Sequence, residues 1–266
     1  MGLFGKIFEK KECAICGGEI GMLGNRKLED GNMCKNCAKL LSPWFSDRRG
    51  STVEQIKEQL AWREANKAKV AAFHTTRTLG GQTKVLLDED AGVFMVTSER
   101  DLAAANPDVL AFSDVTGCNL DINESRTEMM REDREGKQVS YNPPRYIYSY
   151  NFTIIIHVRN PYFDEIRFKL NTFSVDVESQ APQRGVRGGV TANSNPENSS
   201  EYQRYKQMGE EIRTALLQAR GQARARAASA AAAEARAATP WVCPACGGQN
   251  NAGGRFCEFC GTARPQ

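Results

Sequence analysis

The residues best suited to chemistry in this 266-residue chain are its cysteines, because eight of the nine fall into C-x-x-C pairs. Seventeen residues separate the two pairs near the start of the sequence, and ten separate the two pairs near its end. The paired residues are Cys13, Cys16, Cys34, Cys37, Cys243, Cys246, Cys257 and Cys260. Two such pairs brought together supply the four soft ligands that zinc takes in a tetrahedron. The spacing therefore predicts two Zn²⁺ ions, one in each four-cysteine cluster.

Glycine follows three of the four pairs, as Gly17, Gly247 and Gly261. Glycine at this point lets backbone amides approach the sulfurs and form the turns called zinc knuckles. A redox dithiol is a competing interpretation, but that motif normally occurs once, in a thioredoxin-like βαβ setting. Iron is a second alternative, because four thiolates in a tetrahedron can also hold it.

Both predicted ions are structural. Four thiolates leave no open coordination position at which the metal could activate water. The terminal segment, residues 240–266, is also too short to build a core that folds alone. Structural zinc contributes on the order of 10 kcal/mol to the folding of such a small piece. We therefore expect the metal to hold each module together.

Charge is divided unevenly along the chain, although the net charge is only +3. Residues 83–178 hold 10 basic and 17 acidic side chains, a balance of −7, whereas each end carries +5. Phosphate contacts need concentrated Lys and Arg, so an acidic middle argues against nucleic-acid binding there. Mean hydropathy is −0.51. Lys6, Lys10 and Lys11 interrupt the apolar start, which predicts no signal peptide and a cytoplasmic location.

Motifs for catalysis are missing from the sequence. LGGQTK (79–84) lacks the spacing of a phosphate-binding loop, and neither G-x-S-x-G nor H-E-x-x-H occurs. The two histidines, His74 and His157, are far apart, which favours ordinary surface or structural roles. Cys118 stands alone in a predicted strand and is expected in the core. We predict that the protein is not an enzyme.

The elements that must position the cysteines are a helix and a group of strands. A helix is predicted over residues 51–75, with Ser51 as N-cap and Glu54 completing a capping box. Alternating apolar residues predict strands within 84–96, 109–122 and 146–170. The charged stretch 123–145 is predicted to be a mobile loop, and 179–199 to be disordered. A helix is predicted over 200–220, followed by a semi-helical or flexible Ala/Arg linker.

Three stretches at the front of the chain are distinctive: CAIC…CKNC, LSPWFSDRR and STVEQIKEQL. Together they resemble a bacterial family of unknown function defined by an N-terminal four-cysteine module followed by this helix. The resemblance covers about residues 1–80. It implies that Cys13, Cys16, Cys34 and Cys37 are metal ligands, and it implies no activity.

The middle of the chain resembles bacterial pleckstrin-homology-like (PH-like) domains, in which a C-terminal helix closes a bent antiparallel sheet. AFSDVTGCNLDI is similar to the strand that follows the first hairpin of such domains. The basic cluster of their lipid-binding members is not evident in a segment of charge −7. The tail resembles zinc ribbons appended to many bacterial proteins.

The sequence thus predicts an α+β protein with modules joined in series. The modules are a four-cysteine zinc module (1–50), a helix (51–75), an antiparallel β-rich PH-like domain with a C-terminal helix (80–220), an Ala/Arg linker (221–239) and a tethered second zinc ribbon (240–266). We expect a non-enzymatic adaptor or scaffold that recognises a macromolecule, in the first place a protein. We expect no small-molecule substrate.

Two alternatives to protein recognition stay open. Nucleic acid could bind through the ribbons and the Arg-rich linker. The arginines concerned are Arg220, Arg224, Arg226, Arg236, Arg255 and Arg264. A membrane surface could instead bind the amphipathic start, residues 1–11, where Leu3, Phe4, Ile7 and Phe8 share one helical face, together with the PH-like domain.

Overall fold

The computed structural model describes residues 11–21, 23–179 and 195–265. Residues 1–10 of the predicted amphipathic start and residues 180–194 of the predicted disordered segment lie outside this part of the chain. The chain divides into two units, Met1–Leu217 and Gln218–Gln266. Helices and antiparallel strands occur together, which confirms the α+β class.

Two small hairpins and a short helix form the N-terminal module. They are β1 (Lys11–Glu12) paired with β2 (Glu19–Ile20), β3 (Asn25–Lys27) paired with β4 (Asn32–Cys34), and α1 (Lys35–Ala38). Leu28 and Met33 are fully buried beside two of the cysteines, and Ile56 of the following helix completes this small core. The hairpins are too short to be stable alone, so the module depends on this core and on its cysteines.

Helix α2 (Val53–Ala72) begins with a capping box one residue later than predicted. The Thr52 hydroxyl accepts a hydrogen bond from the Gln55 amide (3.3 Å), and the Gln55 side chain accepts one from the Thr52 amide (2.9 Å). The predicted pair of Ser51 and Glu54 is therefore wrong. The Ser51 hydroxyl instead donates to a main-chain carbonyl four residues earlier (2.7 Å).

The first sheet has the strand order β5-β6-β7-β8 and is antiparallel throughout. Its strands are β5 (Arg77–Gly80), β6 (Lys84–Asp88), β7 (Val93–Thr97) and β8 (Leu110–Ala111), with the short helix α3 (Leu102–Ala105) before β8. The hairpin predicted within 84–96 is confirmed, with its turn between Asp88 and Val93. Val85, Leu87, Phe94 and Met95 are among its fully buried side chains.

The second sheet is arranged around one long strand. Its strands are β9 (Val115–Glu132), β10 (Gln138–Val158), β11 (Glu165–Lys169) and β12 (Val175–Glu178). β10 pairs with β9 along one edge, and with β11 and then β12 along the other. Phe152, Ile154 and Ile156 are fully buried on one face, as the alternation in 146–170 predicts. The strand predicted over 109–122 is interrupted by a 3-10 turn at Phe112–Asp114.

The prediction of a mobile loop at 123–145 is wrong, because these residues extend β9 and β10 into a two-stranded arm. Glu132 pairs with Gln138, and the pairing continues inward past a bulge between Ser140 and Arg145. Pro143 and Pro144 lie in this bulge, where their lack of an amide donor breaks no ladder bond. No residue of 123–146 is buried. The arm therefore lacks the apolar alternation by which a strand is recognised in sequence.

Helix α4 (Ser200–Ala237) closes the second sheet with its first half. The Tyr202 ring lies 5.0 Å from that of Tyr150 and 5.1 Å from that of Phe152, between centroids. A Cβ on Gly209 would lie 2.6 Å from a methyl carbon of Leu120, so a larger residue here would force the Leu120 side chain to move.

Two predictions beside helix α4 need correction. The segment predicted to be disordered ends in a 3-10 turn at Pro196–Asn198. The linker predicted over 221–239 to be semi-helical or flexible is helical over residues 221–237, so its helical alternative is confirmed and its flexible one is wrong. Alanine and arginine favour helix even where no side chain packs, which explains the outcome.

The second unit ends in a ribbon of one small hairpin. β13 (Trp241–Val242) pairs with β14 (Gln249–Asn250), and a single bridge joins Phe256 to Ala263. Its core consists of Trp241, Cys243 and Cys257. So few buried apolar side chains leave the cysteines as the main source of order in this ribbon.

Candidate metal centres

The structure brings the N-terminal cysteines to one point. The Sγ atoms of Cys13, Cys16, Cys34 and Cys37 all lie within 4.8 Å of one another. The Cys13–Cys37 and Cys16–Cys34 Sγ distances are 3.8 and 3.9 Å. A disulfide would need about 2.05 Å, whereas sulfurs bound to one tetrahedral zinc at about 2.3 Å lie about 3.8 Å apart. This cluster is therefore shaped for a metal ion.

The C-terminal cysteines converge in the same way. The Sγ atoms of Cys243, Cys246, Cys257 and Cys260 also lie within 4.8 Å of one another. Sulfur pairs from opposite halves of the ribbon are 3.5 Å apart for Cys243–Cys260 and 3.6 Å apart for Cys246–Cys257. All nine cysteines are free of disulfides. Each cluster can thus hold one zinc ion.

Three of the four C-x-x-C turns share one backbone design. The carbonyl of the first cysteine accepts a hydrogen bond from the amide of the glycine four residues later (2.8–2.9 Å). The amide of the same cysteine donates to the carbonyl of the residue that follows this glycine (2.8–2.9 Å). The glycines are Gly17, Gly247 and Gly261, with φ of +70°, +70° and +74°. Other residues adopt this left-handed conformation only with strain, so glycine fixes the turn.

The fourth turn is the start of a helix. Cys34 is the N-cap of α1, and its sulfur accepts a hydrogen bond from the Cys37 amide (3.3 Å). The Cys34 amide donates to the sulfur of Cys13 (3.2 Å), which links the two halves of the cluster. No left-handed residue is needed here, because α1 supplies the amides that a glycine turn supplies elsewhere.

The thiols of each cluster cannot all ionise without a cation. Burial alone would raise the pKa of Cys13, but backbone amides of Cys16 and Cys34 outweigh it and lower that pKa to about 6. Burial raises the pKa of Cys37, and hydrogen bonds that its thiol donates to the neighbouring sulfurs of Cys34, Cys16 and Cys13 raise it further. In the ribbon, the pKa of Cys257 falls to about 6 against a desolvation effect, through the amides of Phe259 and Cys260.

Cys246 shows the same opposition in the ribbon. The Gly248 amide lowers its pKa, but the sulfurs of Cys260 and Cys257 raise it to about 12. One thiolate thus suppresses ionisation of the next, as like charges at such distances must. A bound divalent cation removes this conflict and draws four thiolates to one point. The donor set therefore fits zinc, with iron as the other metal that four thiolates accept.

Other residues considered for chemistry are placed apart from the clusters. Cys118 is buried, and burial raises the pKa of its thiol to about 11, so it is poorly suited to act as a thiolate. His157 is half-buried on β10, beside Asn119 (3.3 Å) and Glu165 (4.0 Å). The His74 amide donates to Asp88 (2.8 Å) just after α2. Neither histidine belongs to a metal cluster.

A buried polar joint supports the first cluster and was not predicted. Arg63 of α2 forms an ion pair with Asp108 and donates to the Leu40 carbonyl (3.2 Å). Ser42 also donates to Asp108 (2.6 Å). Leu40 and Ser42 follow Cys37 closely, so the metal-binding loop is fastened to α2 and to the β8 region. The sequence signal is the spacing of Gln59, Arg63 and Asn66 on the face that buries Ile56.

The structure contains no helix that is both long and apolar enough to cross a bilayer, within the residues it describes. The longest helix, α4, is rich in alanine and charged residues. This finding agrees with the absence of a long apolar run in the sequence.

Comparison with known proteins supports a family relationship for the first module. Residues 11–59 match a family model described as "Domain of unknown function (DUF4428)". The match covers β1 to the first seven residues of α2, including Cys13, Cys16, Cys34 and Cys37, and falls short of the predicted extent of about residues 1–80. No curated protein and no solved structure matches the chain. The PH-like assignment therefore stays a prediction, and the N-terminal zinc module is the part of this chain that resembles the DUF4428 family.

Proposed function

We propose that the protein is a non-enzymatic zinc-binding adaptor that recognises other proteins, with its C-terminal ribbon as one recognition surface. The main support for this proposal is the exposure of apolar side chains on that ribbon. Val242, Phe256 and Phe259 are 58%, 62% and 70% exposed, in a segment whose only core is Trp241 and two cysteines. Exposed aromatic side chains on a small rigid module are typical of a binding surface.

The chemistry of the clusters favours a structural role over catalysis. All four ligands in each cluster are cysteines, so a bound zinc has no position left for a substrate or water. Zinc instead makes a short chain rigid enough to present side chains, which lowers the entropy lost on binding. All nine cysteines are without disulfides, as is usual in a reducing compartment, which supports a cytoplasmic location.

Nucleic-acid binding is the second candidate, and a specific observation limits it. The ribbon's described charges are Arg255, Glu258 and Arg264, and Arg264 is stacked over the Trp241 ring at 5.9 Å. Arg264 also donates to the carbonyls of Ala252 (2.9 Å) and Thr239 (3.0 Å), so it braces the ribbon. Phosphate contacts need several free cations, which favours a protein partner over nucleic acid.

Affinity purification with matched variants tests this proposal. The tagged full-length protein is purified from its source cells as wild type, as the double variant Phe256→Gln/Phe259→Gln, and as the adjacent control Arg255→Gln. We expect co-purifying proteins that the double variant loses and the control keeps, with two zinc ions in all three. Recovery should survive nuclease treatment.

The outcomes separate the alternatives. Equal recovery by all three forms argues against the ribbon surface. Loss of the co-purifying material on nuclease treatment, together with a negative slope of log affinity against log salt, supports nucleic-acid binding instead. Co-sedimentation with liposomes that is lost on deletion of residues 1–11 supports the membrane alternative.

A further inference from the structure

A cavity of about 490 Å³ lies within the first unit, and no cysteine lines it. It is bounded by the C-terminal half of α2, by β7 and β8, and by the turn between β10 and β11. Trp62, Phe73, Val93, Val109 and Leu110 line it with apolar surface. We call it the side cavity. Its volume lies in the range of pockets that hold small ligands.

Two free cations also line the side cavity. Lys69 and Arg159 are both exposed there. Neither side chain forms an ion pair with any residue in 11–21, 23–179 or 195–265, although other lysines of α2 pair with glutamates. The Arg159 backbone amide donates to the Asp114 backbone carbonyl (2.8 Å). This hydrogen bond fixes the backbone position from which the Arg159 side chain extends. One guanidinium group and one ammonium group are thus exposed beside an apolar wall.

The two acids in the side cavity already have donors. Asp88 is only 2% exposed, and its carboxylate accepts hydrogen bonds from the amides of His74 (2.8 Å) and Ala91 (2.9 Å). Asp114 accepts one from the amide of Ala111 (3.3 Å). These carboxylates hold the turns at either end of the cavity. The four charged side chains of the lining sum to zero, but of these four only the two cations have side chains without a hydrogen-bond or ion-pair partner among the described residues, and a ligand can therefore pair with them.

We propose that the side cavity binds a ligand with a compact apolar body and a single carboxylate, supplied either by a small organic acid or by the C-terminal residue of a polypeptide. The apolar body lies against Trp62, Val109 and Leu110. The carboxylate accepts hydrogen bonds from Arg159 and Lys69. Arginine suits this task because its planar fork matches a carboxylate. This proposal does not depend on the ribbon surface described above.

Calorimetric titration of the zinc-loaded full-length protein tests the charge requirement. The three probes share one ring system and differ in the head group: 1-naphthylacetate, its neutral amide 1-naphthylacetamide, and the cationic 1-naphthylethylamine. We expect the acetate to bind at least about tenfold more tightly than the amide, the gain typical of a charge-assisted hydrogen bond. The amine should bind most weakly. Equal affinities, or no binding of any probe at millimolar concentration, overturn the proposal.

Variants locate the binding to the side cavity. Lys69→Gln/Arg159→Gln should reduce the affinity for the acetate about tenfold and leave that for the amide unchanged. The control is Lys67→Gln, also exposed on α2 but outside the cavity. Loss of affinity in the control to the same degree, or none in the double variant, overturns the assignment.

Two short peptides distinguish the sources of the carboxylate. Acetyl-Ala-Ala-Phe is titrated with a free and with an amidated C-terminus. Preference for the free peptide over 1-naphthylacetate assigns the cavity to a polypeptide C-terminus, and the reverse order assigns it to a small acid. If neither 1-naphthylacetate nor the free peptide binds more tightly than its amide, the result contradicts both a small acid and a polypeptide C-terminus as the ligand.

Discussion

Single cysteines in this protein have different physical roles that burial alone does not reveal. Cys13 and Cys118 are almost equally inaccessible, at 1% and 3% exposure. Backbone amides lower the pKa of Cys13 to about 6, whereas desolvation raises that of Cys118 to about 11. Amide donors around a sulfur prepare it to be a thiolate ligand, and their absence leaves an apolar core residue.

Replacing one ligand should therefore empty one site and leave the other filled. We expect Cys37→Ser to lower the zinc content from two ions to one per chain, because a serine hydroxyl is a much poorer zinc ligand than a thiolate. Elemental analysis of gently purified protein measures this. Cys260→Ser should do the same through the other cluster.

The matched control for these variants is Cys118→Ser, at a buried cysteine outside both clusters. It should keep two zinc ions, even if it lowers stability slightly. Two ions in Cys37→Ser, or a loss of zinc from Cys118→Ser, would mean that the four-sulfur geometry is not the source of binding. Iron in place of zinc would change the identity of the metal and leave the stoichiometry as stated.

The spacing of the cysteines predicted both clusters, since a C-x-x-C pair constrains its sulfurs locally. The glycine turns were predicted on the same ground. The helical turn at Cys34 was not, because Lys35–Ala38 is too short for helical periodicity to show. The side-cavity cations Lys69 and Arg159 were also missed. Their pairing is set by tertiary contacts between α2 and the β10–β11 turn, about which local sequence says nothing.

At the scale of elements, α2 joins the metal module to the first sheet through polar contacts. Asn66 donates to the Asn106 side chain and the Pro107 carbonyl (both 2.8 Å) and accepts from the Val109 amide (3.0 Å). Asn106 has a φ of +47° and is held there by its donation to the Arg63 carbonyl (2.8 Å). The joint specifies one arrangement, since each polar group requires its partner.

Breaking the ion pair in this joint should be costly. Arg63→Met leaves Asp108 buried with its charge unpaired, and we expect a loss of about 3–5 kcal/mol in the free energy of unfolding. Urea unfolding of the zinc-loaded protein, followed by circular dichroism, measures the loss. The double variant Arg63→Met/Asp108→Leu should recover part of it, because no buried charge is then left alone.

The surface pair of Lys57 and Glu54 supplies the control for this prediction. Both side chains are exposed at 3.8 Å separation, so Lys57→Met should change the unfolding free energy by about 0.5 kcal/mol or less. An effect of Arg63→Met as small as that of Lys57→Met would show that the joint does not fasten the module.

The β9–β10 arm should contribute little to the stability of the core. None of residues 123–146 is buried. Besides cross-strand pairs, the contacts of the arm include the stacking of Arg126 on Tyr146 (4.6 Å) and of Arg145 on Tyr141 (4.7 Å), and a hydrogen bond from the Tyr146 amide to the Ser179 hydroxyl (2.8 Å). Replacing residues 129–145 with Asn-Gly joins Glu128 to Tyr146, which already face each other. We expect a change of about 1 kcal/mol or less in the unfolding free energy. Ile154→Ala, in the buried part of β10, should cost about 2–5 kcal/mol.

A loss from the shortened arm as large as that from Ile154→Ala would contradict this division of β10. The arm also shows where sequence reasoning fails for elements. Buried strands such as 152–158 alternate apolar and polar residues, and they were predicted correctly. The arm has no buried face, and its charged sequence without apolar alternation therefore predicted a loop. Helix 221–237 was missed in part because its sequence, which is mostly alanine and arginine, shows no apolar stripe.

At the scale of the whole molecule, the two units rest on different sources of stability. The first has two sheets and a core that includes Phe94, Phe152 and Ile212, all fully buried. The ribbon of the second has Trp241 and two cysteines. The sequence predicted this contrast, since the terminal module, residues 240–266, is too short to bury enough apolar surface to offset chain ordering. Metal should therefore decide whether the ribbon is ordered, and only modify the stability of the first unit.

Differential scanning calorimetry of ligand variants tests this contrast. Cys257→Ser/Cys260→Ser should abolish order in the ribbon and leave the main unfolding transition at its wild-type temperature, because few apolar side chains depend on the ribbon's metal. Cys13→Ser/Cys37→Ser should lower the main transition, because Leu40 and Ser42 then lose the anchor that holds them against Arg63 and Asp108. Each double variant should retain one zinc ion. If both lower the main transition equally, the chain unfolds as one cooperative body and the ribbon's metal stabilises far more than the ribbon.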